Sequence, residues 1–140
     1  MEIKRVSSPE EFELAFDIRL KVFVEEQHVP LSEELDDYDK EALHILVLTD
    51  GLPVGCGRVY LRDDTAKLGR IAVLKEYRGS GAGFRLCEEL ISAAIEMGAK
   101  TLILDAQTQA VGFYKKLGFK EEGEIFLDAG IDHIRMRREI

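Results

Sequence analysis

A chain of 140 residues, 46% hydrophobic and 33% charged, has room for one domain, residues 1–140, and for a core adequate to hold it together. Its formal net charge of −8 argues against a nucleic-acid partner, since a phosphate backbone needs a basic face. No apolar run is long enough to span a bilayer and Met-Glu-Ile-Lys-Arg-Val lacks the apolar stretch of a signal peptide, so the reading is a cytoplasmic protein with no membrane partner.

Glu2 to Val6 reads as a short edge strand. Ser8-Pro9-Glu10-Glu11 then marks a helix start, with Ser8 as N-cap, Pro9 in the first turn and Glu11 completing a capping box. Phe12, Phe16, Leu20 and Phe23 recur at helical steps, which predicts one core-facing stripe on a helix running to about Glu26. Pro30 stops it. Between Glu25 and Glu41 lie eight acids against the single Lys40, a local charge of −7. That run reads as an irregular, solvated connection, or else as a lure for a cationic amine.

Ala42 to Thr49 and Pro53 to Leu61 are β-rich and flank Asp50-Gly51, a hairpin signal; Ala66 to Leu74 continues the meander. A glycine-rich turn and an amphipathic helix ending at Met97-Gly98 follow. The helix carries Phe84, Cys87, Leu90, Ile91, Ala94 and Ile95 on its expected apolar face. Thr101 to Ala106 is a short buried strand, Gln107 to Leu117 a second helix stopped by Gly118, and Phe119 to Phe126 with Ile131 to Glu139 a closing hairpin. Cys56 and Cys87 have no partner spacing and read as buried free thiols; no metal-ligand pattern is present.

The turn is the most informative stretch. Arg78-Gly79-Ser80-Gly81-Ala82-Gly83 places three glycines at alternate positions between a strand and a helix start, where bare amides and the helix dipole favour a phosphate. The nucleotide P-loop string does not occur, and a dinucleotide fingerprint counted from Gly81 would need its third glycine at Leu86.

What remains, Arg78 followed by Gly81 and Gly83, resembles the pyrophosphate loop of the GCN5-related N-acetyltransferase (GNAT) family. Ala110-Val111-Gly112-Phe113-Tyr114-Lys115-Lys116-Leu117-Gly118-Phe119 resembles that family's second motif, and the element order also matches. The run Arg19 to Gln27, with Asp36, Asp39 and His44, is similar to a small bacterial subgroup. The resemblance implies an α/β fold, a mixed sheet flanked by helices, with acetyl-CoA as co-substrate and no metal.

The resemblance places the diphosphate at Arg78, Gly79, Ser80, Gly81, Ala82, Gly83 and Phe84, and the pantetheine along Ile71, Ala72 and Val73 with Gln107 and Tyr114 nearby. It implies direct attack by an amine of a small molecule or protein. Tyr114 is the expected proton donor, because a phenol near 10 stays protonated beside a leaving thiolate near 8.5. Glu26, His44 and His133 are candidate bases. A CoA-binding sensor and an acidic interaction domain are the alternatives, and an exposed edge on the last strands leaves room for a homodimer.

Overall fold

Ser8 starts the first helix as its sequence indicates: its hydroxyl accepts from the Glu11 amide at 3.2 Å. The computed structural model describes all residues from Met1 to Ile140. Strand β1 (Glu2–Arg5) leads into helix α1 (Pro9–Arg19), which runs on into a π-helical stretch over Leu20–Glu26. The helical run therefore does reach Glu26. Its buried side, however, is Ala15, Ile18, Arg19 and Val22, while Phe12, Phe16, Leu20 and Phe23 are only half-buried. Ala15 lets the helix approach the sheet closely, against Leu46, Cys56 and Ala72, with Phe23 packed at the side of that contact.

The expected irregular connection is in fact partly helical, with α2 (Leu31–Glu34) and a 3-10 turn over Asp37–Lys40. Strands β2 (Leu43–Thr49), β3 (Leu52–Arg62) and β4 (Thr65–Val73) form the meander. Helix α3 (Ala82–Glu96), β5 (Thr101–Gln107), α4 (Val111–Lys116), β6 (Lys120–Asp128) and β7 (Ile131–Glu139) complete the chain. The seven strands form one mixed sheet, β1-β2-β3-β4-β5-β7-β6, antiparallel except between β4 and β5.

Alternation along β2 shows why the sheet is covered on both sides. Ile45 and Val47 join the core under α3, whereas Leu46 packs under α1. The α3 face is broader than its periodicity indicates: Leu86 and Ala93 are buried with Cys87, Leu90, Ile91 and Ala94, while Phe84 and Ile95 are exposed. Cys56 and Cys87 are free and buried, and burial pushes each thiol up to about 12, so neither is a nucleophile in waiting.

Candidate active site

The site begins with a failure of strand pairing. β4 and β5 are paired only from Thr65, Ala66 and Lys67 to Thr101, Leu102 and Ile103. Further along, the β3–β4 register shifts between Cys56 and Arg58, a bulge, and Arg70 adopts φ of 49° within β4. β4 thereby loses β5 as a neighbour. The opened seam is a cleft of about 350 Å³ lined by β4 from Leu68 to Val73, by Leu104, Asp105 and Gln107 of β5, and by Tyr114. Ile71, Ala72 and Val73 thus lie where an extended ligand would pair with unpartnered strand edge.

The glycine turn stands at the mouth of this cleft. Gly79 and Gly81 take φ of 82° and 89°, and a Cβ at either would meet no atom within 4 Å, so the backbone faces open space. The Arg78 amide donates to the Lys75 carbonyl and the Arg85 amide to the Gly81 carbonyl. Between them, the amides of Gly79, Ser80, Gly81, Gly83 and Phe84 have no protein acceptor, and that of Ala82 has only the Ser80 hydroxyl at 3.4 Å. Free amides at the start of a 15-residue helix, beside a long cleft, fit a diphosphate with its pantetheine arm.

Arg78 does not aim at that space. Its Nη1 and Nη2 donate to the Glu26 carboxylate at 2.7 and 2.8 Å, and its Nε to the Val73 carbonyl at 2.9 Å. It frames the loop by tying the turn to the end of β4 and to the π-helical stretch. Glu26 is spoken for by the same contact: Arg78 holds its carboxyl below the usual range, which makes it a poor proton acceptor.

His44 is not brought to the cleft at all. Its Nε2 lies 2.9 Å from the Asp39 carbonyl, its ring meets Phe12 edge-on, and burial lowers its pKa. Tyr114 does line the cleft, packed edge-on against Phe113 and Phe119. Its hydroxyl makes no hydrogen bond within the protein, and burial pushes the phenol up, so it is a standing donor. Gln107 is the last residue of β5 rather than the first of a helix, since a 3-10 turn over Thr108–Ala110 delays α4 to Val111, and it bonds Gln27 at 2.9 Å and Gln109 at 2.6 Å. Sequence reasoning passed over Gln27 and Arg70 as lining residues, because only the bulge and the π-helical stretch turn them inward.

The acidic run is solvated only in part: Glu25, Glu26, Glu33, Asp37 and Glu41 are exposed, but Glu34, Asp36 and Asp39 are drawn inward. Arg19, almost fully buried, donates to Glu34 Oε1 at 2.7 Å and to both Asp39 oxygens. Arg58 bonds both Asp36 oxygens at 2.6 and 2.7 Å and Asp39 at 2.8 Å, and Arg70 reaches the Glu34 carbonyl and Asp36. Three arginines thus neutralise three carboxylates and clamp the segment over the sheet. Arg19, Asp36, Asp39 and His44, noticed in the sequence as a set, turn out to be one interlocked cluster.

A mixed sheet splayed at its parallel pair, with a glycine-rich helix start at the opening, is the architecture of an acyl-CoA N-acyltransferase. Residues 4–140 match the family model described as an acetyltransferase (GNAT) domain. The chain is 47% identical over 131 residues to the uncharacterized N-acetyltransferase YjcF of Bacillus subtilis strain 168, covering 93% of this chain and 94% of that one. An acyl-CoA N-acyltransferase from Pseudomonas aeruginosa superposes with a TM-score of 0.87 at 26% identity, over 99% of each chain. A GNAT family acetyltransferase from Elizabethkingia anophelis, with acetyl-CoA bound, shares the fold at 20% identity and a TM-score of 0.72, over 99% of this chain and 97% of that one. The chain belongs to the GNAT family and is an acetyl-CoA-dependent acetyltransferase.

Proposed function

We propose that this single-domain protein works in the cytoplasm, transferring the acetyl group of acetyl-CoA to an amine of a small molecule or protein by direct attack, with no acetylated enzyme on the path. The observation that carries the reading is the row of unpartnered amides from Gly79 to Phe84 opening onto the cleft that holds Tyr114. Those amides would hold the diphosphate, and the free edge of β4 from Ile71 to Val73 would align the arm. The bound group supplies an activated acyl thioester.

The chain's own part is positioning and charge stabilisation. A β4 amide freed by the splay donates toward the acetyl oxygen. Tyr114 Oη donates toward the sulfur. Full proton transfer from a phenol at its ordinary value to a thiolate near 8.5 is uphill by roughly 2 kcal/mol, and the buried Tyr114 is worse placed, so hydrogen-bond donation is its cheaper role. Buried Cys56 and Cys87 offer no nucleophile for a covalent route.

Calorimetric titration with CoA tests the socket: saturable binding is expected, and loss of that binding in Gly81→Glu, where a side chain at φ of 89° also lowers the melting temperature, so that a cooperative melt above the assay temperature is the check on folding. Thiol release from acetyl-CoA across a panel of amines tests transfer. Tight CoA binding without turnover on any amine would make the protein a sensor, and no CoA binding would leave only an interaction domain. The exposed strand β6, with Ile125 and Leu127 in solvent, offers the edge on which a second copy would pair, which sedimentation would reveal.

A further inference from the structure

A second cavity of about 270 Å³ adjoins the cleft and shares Gln27, Arg70, Gln107 and His133 with it. It opens between the clamped acidic segment and the β6–β7 turn. Since the first cavity fits the thioester arm, the second is the remaining approach to the same reacting centre. His133 stands on the shared wall. Its position follows from register: it pairs with Gln107 at the end of β5, and its ring stacks on Phe126 at 5.9 Å.

Only one of its nitrogens is engaged. Nδ1 lies 2.8 Å from the Ile131 carbonyl, and a carbonyl can only accept, so Nδ1 carries the hydrogen. In the neutral ring this leaves the lone pair on Nε2, which has no protein partner. The other titratable groups facing it are committed. Asp105 on β5 is bonded by Arg135 at 2.6 Å and Lys67 of β4 at 3.3 Å, and the Arg58–Asp36 and Arg70–Glu34 contacts belong to the clamp. Glu33 and Asp128, in no ion pair, lie in the wall of the second cavity alone, and Tyr114 in that of the first.

We propose that the acceptor amine enters through the second cavity and gives up its proton to Nε2 of His133. This rests on the acetyl-transfer reading above. As the amine nitrogen bonds to the acetyl carbon and the carbon–sulfur bond breaks, one N–H proton passes to Nε2. The sulfur leaves as thiolate, held by Tyr114 Oη, and takes its proton from water after His133 has returned the amine's proton there. An imidazole suits this work because its free ring nitrogen can take up a proton and pass it on. The preferred acceptor is a free amine, and the carboxylates Glu33 and Asp128 favour one that carries positive charge over one that carries phosphate.

The test is His133→Asn, whose side-chain amide can still donate to the Ile131 carbonyl, with His133→Gln as a second variant. The expected result is a fall in kcat/KM of about 100-fold or more, with CoA affinity and melting temperature held. The acidic limb of the pH profile should disappear. Independently of turnover, long-range nitrogen NMR of the free protein should show the Nδ1–H form of His133. Full activity with an unaltered pH profile in both variants, or an Nε2–H ring, overturns the assignment while leaving acetyl transfer intact. Failure of the wild-type protein to bind CoA or to acetylate any amine overturns acetyl transfer itself, and this assignment with it.

Discussion

Arg78 and Glu26, 52 residues apart in sequence, are joined by two parallel hydrogen bonds of 2.7 and 2.8 Å at the mouth of the cleft. A bidentate pair fixes orientation as well as distance. It couples the glycine turn to the π-helical stretch, so the Gly79–Phe84 amides are held by residues that need not touch a ligand. Since Glu26 is engaged, Glu26→Gln should keep kcat within about threefold of wild type, whereas removing an essential base costs 100-fold or more. Arg78→Ala should instead weaken CoA binding about tenfold by loosening the turn. Steady-state rates and CoA titrations on the two variants separate these outcomes.

Tyr114 carries the second prediction. Its hydroxyl has no protein partner, so Tyr114→Phe orphans nothing and should leave the melting temperature within about 2 °C of wild type. A hydrogen bond to a charged sulfur is worth about 1.5–3 kcal/mol, so kcat should fall about 10- to 150-fold with little change in KM for acetyl-CoA. An equal loss in CoA affinity would mean that the ring grips the arm rather than stabilising the leaving group.

The glycine turn, Tyr114 and Gln107 were legible in the sequence because their placement is local: glycine spacing sets the backbone of Arg78–Phe84, Gln107 closes β5 and Tyr114 follows it within a few residues. Element order along the chain came from the same kind of signal, with β7 falling on Ile131–Glu139 as expected. The cleft was not legible. It exists because Arg70 takes a positive φ at a bulge and β4 leaves β5, and one residue of strain has no signature in alternation. Nor could spacing show that Arg19 would be buried by Glu34 and Asp39, 15 and 20 residues on, instead of Phe12 and Phe16 taking the core. Acids counted along a chain look solvated until the partners that fold onto them are known.

That clamp gives the third prediction. Arg19 and Glu34 each expose about 2% of their side chains, so removing one partner strands a charge in the interior. Arg19→Met should cost about 3–5 kcal/mol and lower the melting temperature by about 10 °C or more. Adding Glu34→Gln to Arg19→Met should cost less than the separate effects together, because the second change removes the stranded charge. Thermal unfolding of the three variants reads the coupling directly.

Acid should dismantle the same cluster in two stages. Burial lowers the pKa of His44, so the native ring stays neutral while the unfolded chain takes up a proton as pH falls past about 6.5. The stability this confers is full above that value and lost as pH falls through the native one. Asp36 is held below the usual carboxylate range chiefly by its hydrogen bonds from Arg58. Burial of Asp39 opposes its charge, but hydrogen bonds from Arg19 and Arg58 outweigh it and leave that carboxyl low as well. These two contribute stability above about 3.8 that disappears as they are protonated in the native state. The melting temperature should therefore drift down from about pH 6.5 and then drop steeply below about pH 4. In His44→Gln the early drift should flatten while the steep loss remains, because the glutamine does not titrate and the arginine–aspartate contacts are untouched. If the drift persists undiminished in that variant, the proton taken up near neutrality belongs to another group and the buried imidazole is not what couples this cluster to pH.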